Sequence, residues 1–168
     1  QYGIEEATEA GIHNFGFVTG RGKRAIEDHF DISYELEHQI RGTGKEEQLA
    51  TIKNLVEENE FSFTRQNHMK GLGHAILSGR NLIGNNPFAV ILADDLCLTH
   101  CDDIGVLSQM VEVYNQYECS IVAIQEIPKN ETKKYGIIAG EQIGEGIYRV
   151  SNMIEKPNSE DAPTNLAI

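Results

Sequence analysis

Long apolar runs are missing from this sequence of 168 residues. No stretch approaches the about 20 consecutive apolar residues that span a bilayer, and the first residues lack the basic-then-apolar profile of a signal peptide. Internal repeats and low-complexity segments are also absent. These absences argue against a membrane protein and a secreted protein, so we expect a soluble protein in the cytoplasm.

Basic residues are scarce. The chain has 14 Lys and Arg against 26 Asp and Glu, which gives a formal net charge of −12. A surface of that charge repels nucleic acid and anionic membranes, so we expect neither as a partner. An anionic ligand would have to be attracted locally, by a metal ion or by a few lysines.

Cysteines are few and odd in number. Cys97 and Cys101, with His100 between them, could suggest a metal cluster. Zinc sites, however, need four ligands and usually a tighter paired spacing. Together with Cys119, these side chains are better interpreted as reduced, partly buried thiols.

The apolar pattern predicts an α/β fold. With 40% hydrophobic residues, the chain is long enough for the core of one domain. Helical periods alternate with short apolar strands, which predicts a doubly wound, mostly parallel sheet of the Rossmann-like kind. The predicted strands are residues 15–18, 61–64, 87–92 and 120–125, and the predicted helices are 1–10, 31–40, 46–58, 73–81 and 104–116. Two further strands, 136–140 and 147–155, are predicted to pair with each other, which makes the sheet content mixed.

Asp94 is the candidate metal ligand. It follows the predicted strand 87–92, and in open α/β sheets ligands bind beyond the carboxyl ends of the strands. Mg²⁺ takes hard oxygen ligands, commonly one or two carboxylates together with substrate phosphates and water. Asp95 could support Asp94. The alternative is that both aspartates only cap the loop that follows.

Gln66 and Gly71 form a candidate base-reading turn. Gly71 has no Cβ, so a flat ligand can approach its backbone closely. The amide of Gln66 offers a donor and an acceptor, which match the paired groups on the edge of uracil. The alternative makes Gly71 an ordinary loop residue and Gln66 a solvated side chain.

Glu155 and Lys156 end a predicted strand before Pro157. The carboxylate could accept hydrogen bonds from sugar hydroxyls, and the ammonium could bind a phosphate. Gly136 again allows close backbone approach, and the alternative is a role in a hairpin. Taken alone, Glu-Lys-Pro is also an ordinary exposed strand end. Residues 20–23, Gly-Arg-Gly-Lys, lack the spacing and the Ser or Thr of a P-loop, and we interpret them as a basic turn between a strand and a helix.

Together these motifs resemble the bacterial UTP glucose-1-phosphate uridylyltransferases, also called UDP-glucose pyrophosphorylases. The likeness runs nearly end to end, and such long gapless matches are far more specific than one short motif. It is carried by residues 17–31, 70–75, 87–90 with Asp94, 134–136, 154–157 and 165–168.

The resemblance implies a reaction and a role for each candidate residue. UTP and glucose 1-phosphate would give UDP-glucose and pyrophosphate, a step of carbohydrate metabolism. Gln66 and Gly71 would read uracil, Asp94 would hold Mg²⁺, Gly136 and Glu155 would hold the glucosyl group, and Lys156 would grip the sugar phosphate. Asp94 and Lys156 are thus the expected catalytic residues. The sugar-phosphate oxygen would attack the α-phosphorus in line, without a covalent nucleophile on the protein.

The resemblance also implies that the chain is an internal part of a longer catalytic domain. Residues 1–126 would form a nucleotide-binding part and residues 127–168 the start of a sugar-binding part. Family members carry an earlier first strand and a glycine-rich loop that wraps the triphosphate. We therefore expect little activity from this chain alone, an exposed apolar gap in its sheet, and association into a homo-oligomer that covers the gap.

Two other functions are compatible with the sequence. A sister nucleotidyltransferase would use dTTP or another sugar phosphate, which competition between UTP and dTTP would show. A noncatalytic module would bind a nucleotide sugar without turnover.

Overall fold

The computed structural model describes residues 1–31, 38–44, 46–99 and 103–168. They divide into two compact units, Gln1–Ser108 and Gln109–Ile168. The described helices are α1 (Tyr2–Glu9), α2 (Arg24–His29), α3 (Glu46–Glu57), α4 (Leu72–Ser78), α5 (Arg80–Ile83) and α6 (Val106–Tyr117), with a 3₁₀ helix at Lys129–Lys134. The described strands are β1 (Asn14–Thr19), β2 (Glu60–Arg65), β3 (Gln125–Glu126), β4 (Gly136–Gly144), β5 (Ile147–Glu155) and β6 (Leu166–Ala167).

The first unit contains a parallel strand pair, β1 and β2, covered by phenylalanines. Alternate residues of a strand point to the same face, so Phe15 and Phe17 lie opposite Phe61 and Phe63 in register. The ring centroids of Phe15 and Phe61 are 5.5 Å apart, and those of Phe17 and Phe63 are 5.2 Å apart. Cross-strand aromatic pairs of this kind stabilise one register. Their core neighbours are three buried residues from other parts of the unit: Ile4, Phe30 and Leu55.

Helix α1 follows the predicted amphipathic pattern. Ile4 and Ala7 are buried, and the helix ends at Glu9, one residue before the predicted end, with Gly11 following at φ +80°. The carboxylate of Glu6 does not simply face solvent, because its Oε1 accepts a hydrogen bond from the Leu107 N–H at 3.0 Å. This bond ties α1 to the start of α6.

The predicted helix at residues 73–81 is present, but it is divided at Gly79 into α4 and α5. The Gly79 N–H donates to Ile76 O at 3.0 Å. A Cβ at Gly79 would lie 3.3 Å from that oxygen and 3.5 Å from Val18 Cγ2. The glycine thus lets the junction approach β1 closely, a packing requirement that the helical period alone does not reveal.

The predicted strand at residues 87–92 is wrong, because the structure forms no ladder there. A strand needs a neighbouring backbone, and residues 87–91 exchange no backbone hydrogen bonds with the described part of the chain. The apolar side chains of residues 88–92 are exposed rather than buried in a sheet, with Phe88 at 54% and Val90 at 47%. Ile91 packs on α1, where a Cβ at Gly3 would lie 3.1 Å from Ile91 Cγ2.

The predicted strand at 120–125 is also mostly wrong. Only its last residue is in β3, where Gln125 pairs with Ala167 and Glu126 with Leu166. The partner strand β6 has two residues, too short to show a period, and was not predicted. Most of the predicted helix at 31–40 lies outside the described residues, whereas α2, which was not predicted, is formed.

The second unit is built on an antiparallel sheet with strand order β3-β6-β4-β5. The predicted hairpin is confirmed: β4 and β5 pair from Gly136↔Glu155 to Gly144↔Ile147. A bulge interrupts the register after Ala139, and a Cβ on Gly140 would lie 2.5 Å from Arg149 O. The core of this unit consists of three buried apolar residues: Ile127, Ile137 and Ala167.

The α/β class with parallel and antiparallel strands is therefore confirmed. In the described ranges, no helix has the length and apolar character needed to cross a membrane.

Candidate functional site

Gln66 lies directly after β2, at the carboxyl end of the parallel pair. Its backbone N–H donates to Thr19 O at 2.9 Å, which continues the ladder by one residue and fixes the backbone position. Its side-chain Nε2 lies 3.1 Å from Gly71 O and 2.9 Å from His74 Nδ1. The structure thus brings Gln66 and Gly71 together. Both contacts engage the amide NH₂, so the donor expected to pair with uracil is already used within the chain.

Gly71 precedes α4 with φ +87° and ψ 179°. A residue with a Cβ is strained at this φ, so the backbone conformation itself calls for glycine. A Cβ built here would meet no heavy atom within 4 Å. The space beside the Gly71 backbone is open, and a planar ligand can approach it.

Asp94 is exposed in a turn that follows residues 87–92, and the Asp95 N–H donates to Leu92 O at 3.3 Å across this turn. Within the described ranges, no group of three or more His, Cys, Asp or Glu side chains could hold a metal ion. No hydrogen bond or ion pair among the described residues joins Asp94 to Gln66 or Gly71. Asp94 offers one exposed carboxylate, which suits a metal ion that takes most of its ligands from substrate phosphates and water.

Gly136, Glu155 and Lys156 are also brought together, in the second unit. Gly136 is the register partner of Glu155, and a Cβ on Gly136 would lie 3.4 Å from Glu155 Oε2. Lys156 Nζ lies 3.2 Å from Glu155 Oε1, with side chains 58% and 74% exposed. An ion pair this exposed contributes about 0 to 1 kcal/mol to stability. The Lys156 ammonium can therefore leave Glu155 and bind a phosphate at little cost in free energy.

The backbone of Lys156 is held in an uncommon conformation. Its φ is +47°, in the left-handed region that residues with a Cβ rarely adopt. The Lys156 N–H donates to Tyr135 O at 3.0 Å, and on the other side of Gly136 the Ile168 N–H donates to Gly136 O at 2.9 Å. These bonds fix the turn that carries the Glu155 and Lys156 side chains.

Thr132 supports the same turn and was missed by the sequence reasoning. It is completely buried, and its Oγ1 lies 3.1 Å from Pro157 O and 3.2 Å from Lys129 O. The segment around it forms the 3₁₀ helix at Lys129–Lys134. A single threonine among polar residues gives no sequence signal for such a buried role.

The basic turn at residues 20–23 is confirmed. The Lys23 N–H donates to Gly20 O at 3.3 Å, Gly22 has φ +81°, and α2 starts directly afterwards.

Cys97 and Cys119 are free thiols, as predicted, but both are exposed rather than partly buried, because they lie outside regular elements. His100 and Cys101 lie outside the described residues. Although most of Cys97 is exposed, local burial of the sulfur raises the pKa of its thiol, and the negative charges of Glu6 and Asp95 raise it further.

Comparisons with known proteins agree with this arrangement. A family described as nucleotidyl transferase matches residues 1–168. The UTP–glucose-1-phosphate uridylyltransferase of Pseudomonas aeruginosa is 65% identical over 168 residues, which are 100% of this chain and 60% of that protein. A solved apo UDP-glucose pyrophosphorylase superposes with a TM-score of 0.94 at 59% identity, over 99% of this chain and 60% of that one.

Another solved structure, a UDP-glucose pyrophosphorylase complexed with UDP-glucose, has a TM-score of 0.89 at 55% identity, again over 99% of this chain and 60% of that one. The chain therefore spans about 60% of the length of these relatives. These similarities confirm the resemblance inferred from the residues.

Proposed function

We propose, starting from the fact that the chain belongs to the nucleotidyl transferase family, that it carries the central part of a UTP glucose-1-phosphate uridylyltransferase. The reaction transfers a uridylyl group from UTP to glucose 1-phosphate and gives UDP-glucose and pyrophosphate. The observation that carries this proposal is the 65% identity over all 168 residues to a protein named for that activity.

In the first unit, Gln66 and Gly71 are proposed to read uracil. The contact between the Gln66 side chain and Gly71 O, with open space beside the Gly71 backbone, supports this role. Asp94 is proposed as the ligand of Mg²⁺. Its exposed carboxylate is a hard oxygen donor of the type that this ion prefers.

In the second unit, Gly136 and Glu155 are proposed to hold the glucosyl group and Lys156 the sugar phosphate. The support is their adjacency: Gly136 leaves room beside the Glu155 carboxylate, and Lys156 follows directly after Glu155, the last residue of β5. In a protein with a net charge of −12, a positioned ammonium is needed to attract an anionic sugar phosphate.

The chemistry that follows is positional. The phosphate oxygen of glucose 1-phosphate attacks the α-phosphorus of UTP in line, and the bond to pyrophosphate breaks. Lys156 orients the attacking phosphate and offsets part of its negative charge, while the base-reading turn fixes the uridine end of UTP. Bound Mg²⁺ would supply neutralisation of charge on the phosphate oxygens. Asp94 and Lys156 are the proposed catalytic residues.

Several further properties belong to the same proposal. The nucleotide-binding and sugar-binding parts are proposed at 1–126 and 127–168. A homo-oligomer is supported by the exposed apolar side chains at residues 88–92. The acidic surface supports the absence of nucleic-acid and membrane partners, and we retain the cytoplasmic location as a prediction that cell fractionation tests.

A calorimetric titration tests the proposal. UDP-glucose should bind this chain saturably, and more tightly with Mg²⁺ than without it. Asp94→Asn should remove the Mg²⁺ dependence and keep the metal-free affinity, whereas Asp103→Asn, at another exposed aspartate, should change neither. Absence of saturable binding under both conditions would contradict the proposal. If a protein of full family length binds UDP-glucose but does not turn over substrate, the noncatalytic module is favoured. If dTTP binds more tightly than UTP, the sister enzyme is favoured.

A further inference from the structure

The side chain of Gln66 has two hydrogen-bond partners on the first turn of the adjacent helix. Its Nε2 lies 3.1 Å from Gly71 O and 2.9 Å from His74 Nδ1. Gly71 and His74 are three residues apart, so they face the same side of this turn. Gln66 and His74 are both partly buried, and the His74 backbone is fixed in turn, because Ser78 Oγ donates to His74 O at 2.8 Å.

The chemistry of these partners determines which way the amide points. A backbone carbonyl oxygen can only accept, so the group beside Gly71 O must be the NH₂ of Gln66. The opposite orientation would place two oxygens at 3.1 Å with no proton between them. The NH₂ group has two hydrogens, one for Gly71 O and one for His74 Nδ1.

The same logic determines the state of the imidazole. Since Nε2 of Gln66 is the donor, Nδ1 of His74 must accept and carries no proton. The ring is then neutral, with its proton on Nε2. The Gln66 carbonyl oxygen Oε1 is left as the group that can face a ligand.

We propose that His74, together with Gly71 O, is a positioning residue that makes Gln66 present only an acceptor to the base. This inference rests on the proposed role of Gln66 as base reader. Uracil carries a donor, N3–H, and can pair with Oε1. Cytosine has an acceptor at N3, which would face Oε1 without a proton. The arrangement selects uracil over cytosine, and it does not separate uracil from thymine, which has the same N3–H.

The first test is the tautomer of His74 in the intact chain, measured by ¹⁵N NMR of the histidine ring. We expect an unprotonated Nδ1 and a protonated Nε2. A proton on Nδ1 would place two donors against each other and would overturn the proposal, whatever the chain binds.

The second test is the preference for UTP over CTP, measured by competition against a labelled UTP. His74→Leu removes one of the two acceptors that hold the Gln66 NH₂ group. Turning the Gln66 amide by 180° then breaks one hydrogen bond fewer, so the preference for UTP over CTP should fall about fivefold. His74→Asn, whose Oδ1 can accept near the position of Nδ1, should restore most of it. His38→Leu, at an exposed histidine, is the control and should leave the preference unchanged.

Gln66→Ala distinguishes a failure of the proposed base reader, Gln66, from a failure of the proposed positioning residue, His74. If it weakens UTP binding while His74→Leu leaves the preference unchanged, His74 does not position the amide and the inference is wrong, although the base reader stands. If Gln66→Ala leaves UTP binding unchanged, the proposed base reader is wrong, and the selectivity assigned to His74 is wrong with it.

Discussion

Thr132 and Pro157 are joined by a buried hydrogen bond: the threonine hydroxyl lies 3.1 Å from the proline carbonyl oxygen. This bond connects the 3₁₀ helix to the residue directly after Lys156. The left-handed backbone of Lys156 therefore has support on both sides, from Tyr135 O at its own N–H and from Thr132 at the next residue.

Replacement of Thr132 by valine, which has nearly the same shape, removes the hydroxyl and leaves a buried carbonyl without its donor. We expect a loss of about 1 to 3 kcal/mol in the free energy of unfolding. Hydrogen exchange at the Lys156 N–H should become faster as the turn loosens. Thr51→Val is the matched control, because Thr51 is exposed and its Oγ1 bonds to Glu47 O within a helix. Equal effects of the two variants in denaturant unfolding would contradict the structural role of Thr132.

Gly71→Ala and Gly73→Ala should change stability in opposite directions. Alanine at Gly71 must adopt φ +87° with ψ 179°, which costs about 1 to 3 kcal/mol, and its methyl group occupies the space proposed for the base. Alanine at Gly73, inside α4 with open space around its Cβ position, should stabilise by up to about 1 kcal/mol. Thermal unfolding measures the change in stability of each variant. UTP binding should weaken in Gly71→Ala but not in Gly73→Ala. A stabilising Gly71→Ala would show that the backbone conformation described here is wrong.

Lys156→Ala should weaken binding of glucose 1-phosphate about tenfold or more, because a charge-assisted hydrogen bond to phosphate is lost. Stability should change little, since the ion pair with Glu155 is exposed. Lys53→Ala, which also removes an exposed lysine from an ion pair, controls for the change in net charge. Calorimetry gives the affinity of each variant for glucose 1-phosphate. Equal affinities of Lys156→Ala and Lys53→Ala would contradict a role for Lys156 in binding.

Glu6→Gln should accelerate alkylation of Cys97. Burial and the negative charges of Glu6 and Asp95 raise the pKa of this thiol. Removing one charge lowers that pKa, so at a fixed pH below it more thiolate is present and the reaction is faster. The glutamine keeps an oxygen that can accept from the Leu107 N–H. Glu5→Gln is the control, and mass spectrometry of the alkylated peptide gives the rate; an unchanged or slower rate in Glu6→Gln would contradict the assigned cause.

Phe88→Asp should weaken self-association of the chain. The side chain is 54% exposed among other exposed apolar residues, and a charge there opposes its burial between copies. Leu98→Asp, at a side chain that lies outside residues 88–92 and is 89% exposed, serves as the control. Light scattering over a concentration series gives the mass, and a strictly monomeric unmodified chain would contradict the proposed homo-oligomer.

The sequence predicts best where a pattern is local. The amphipathic period of α1, the alternating phenylalanines of β1 and β2, and the β4–β5 hairpin are each encoded within a few neighbouring residues, and all three are formed. The contact of Gln66 with Gly71 is short-range as well. Gly136 and Glu155 are distant in sequence, but the predicted hairpin brings them into register. Their roles in binding stay predictions.

Prediction fails where structure depends on a partner in space. Residues 87–92 have the composition of a buried strand, but composition cannot supply the second backbone that a ladder needs. The two residues of β6 show no period of their own. Thr132 has an important contact with a residue far along the chain, and nothing in its neighbours' sequence indicates that contact.

The residues of the proposed base-reading turn lie close together in the sequence. Gln66, its carbonyl partner and its imidazole partner all fall within residues 66–74, although the surrounding sheet draws on distant segments. The proposed base preference would therefore depend on a few adjacent codons, and it could change while the rest of the domain is left untouched. Grafting this short stretch between related enzymes should transfer the preference with it.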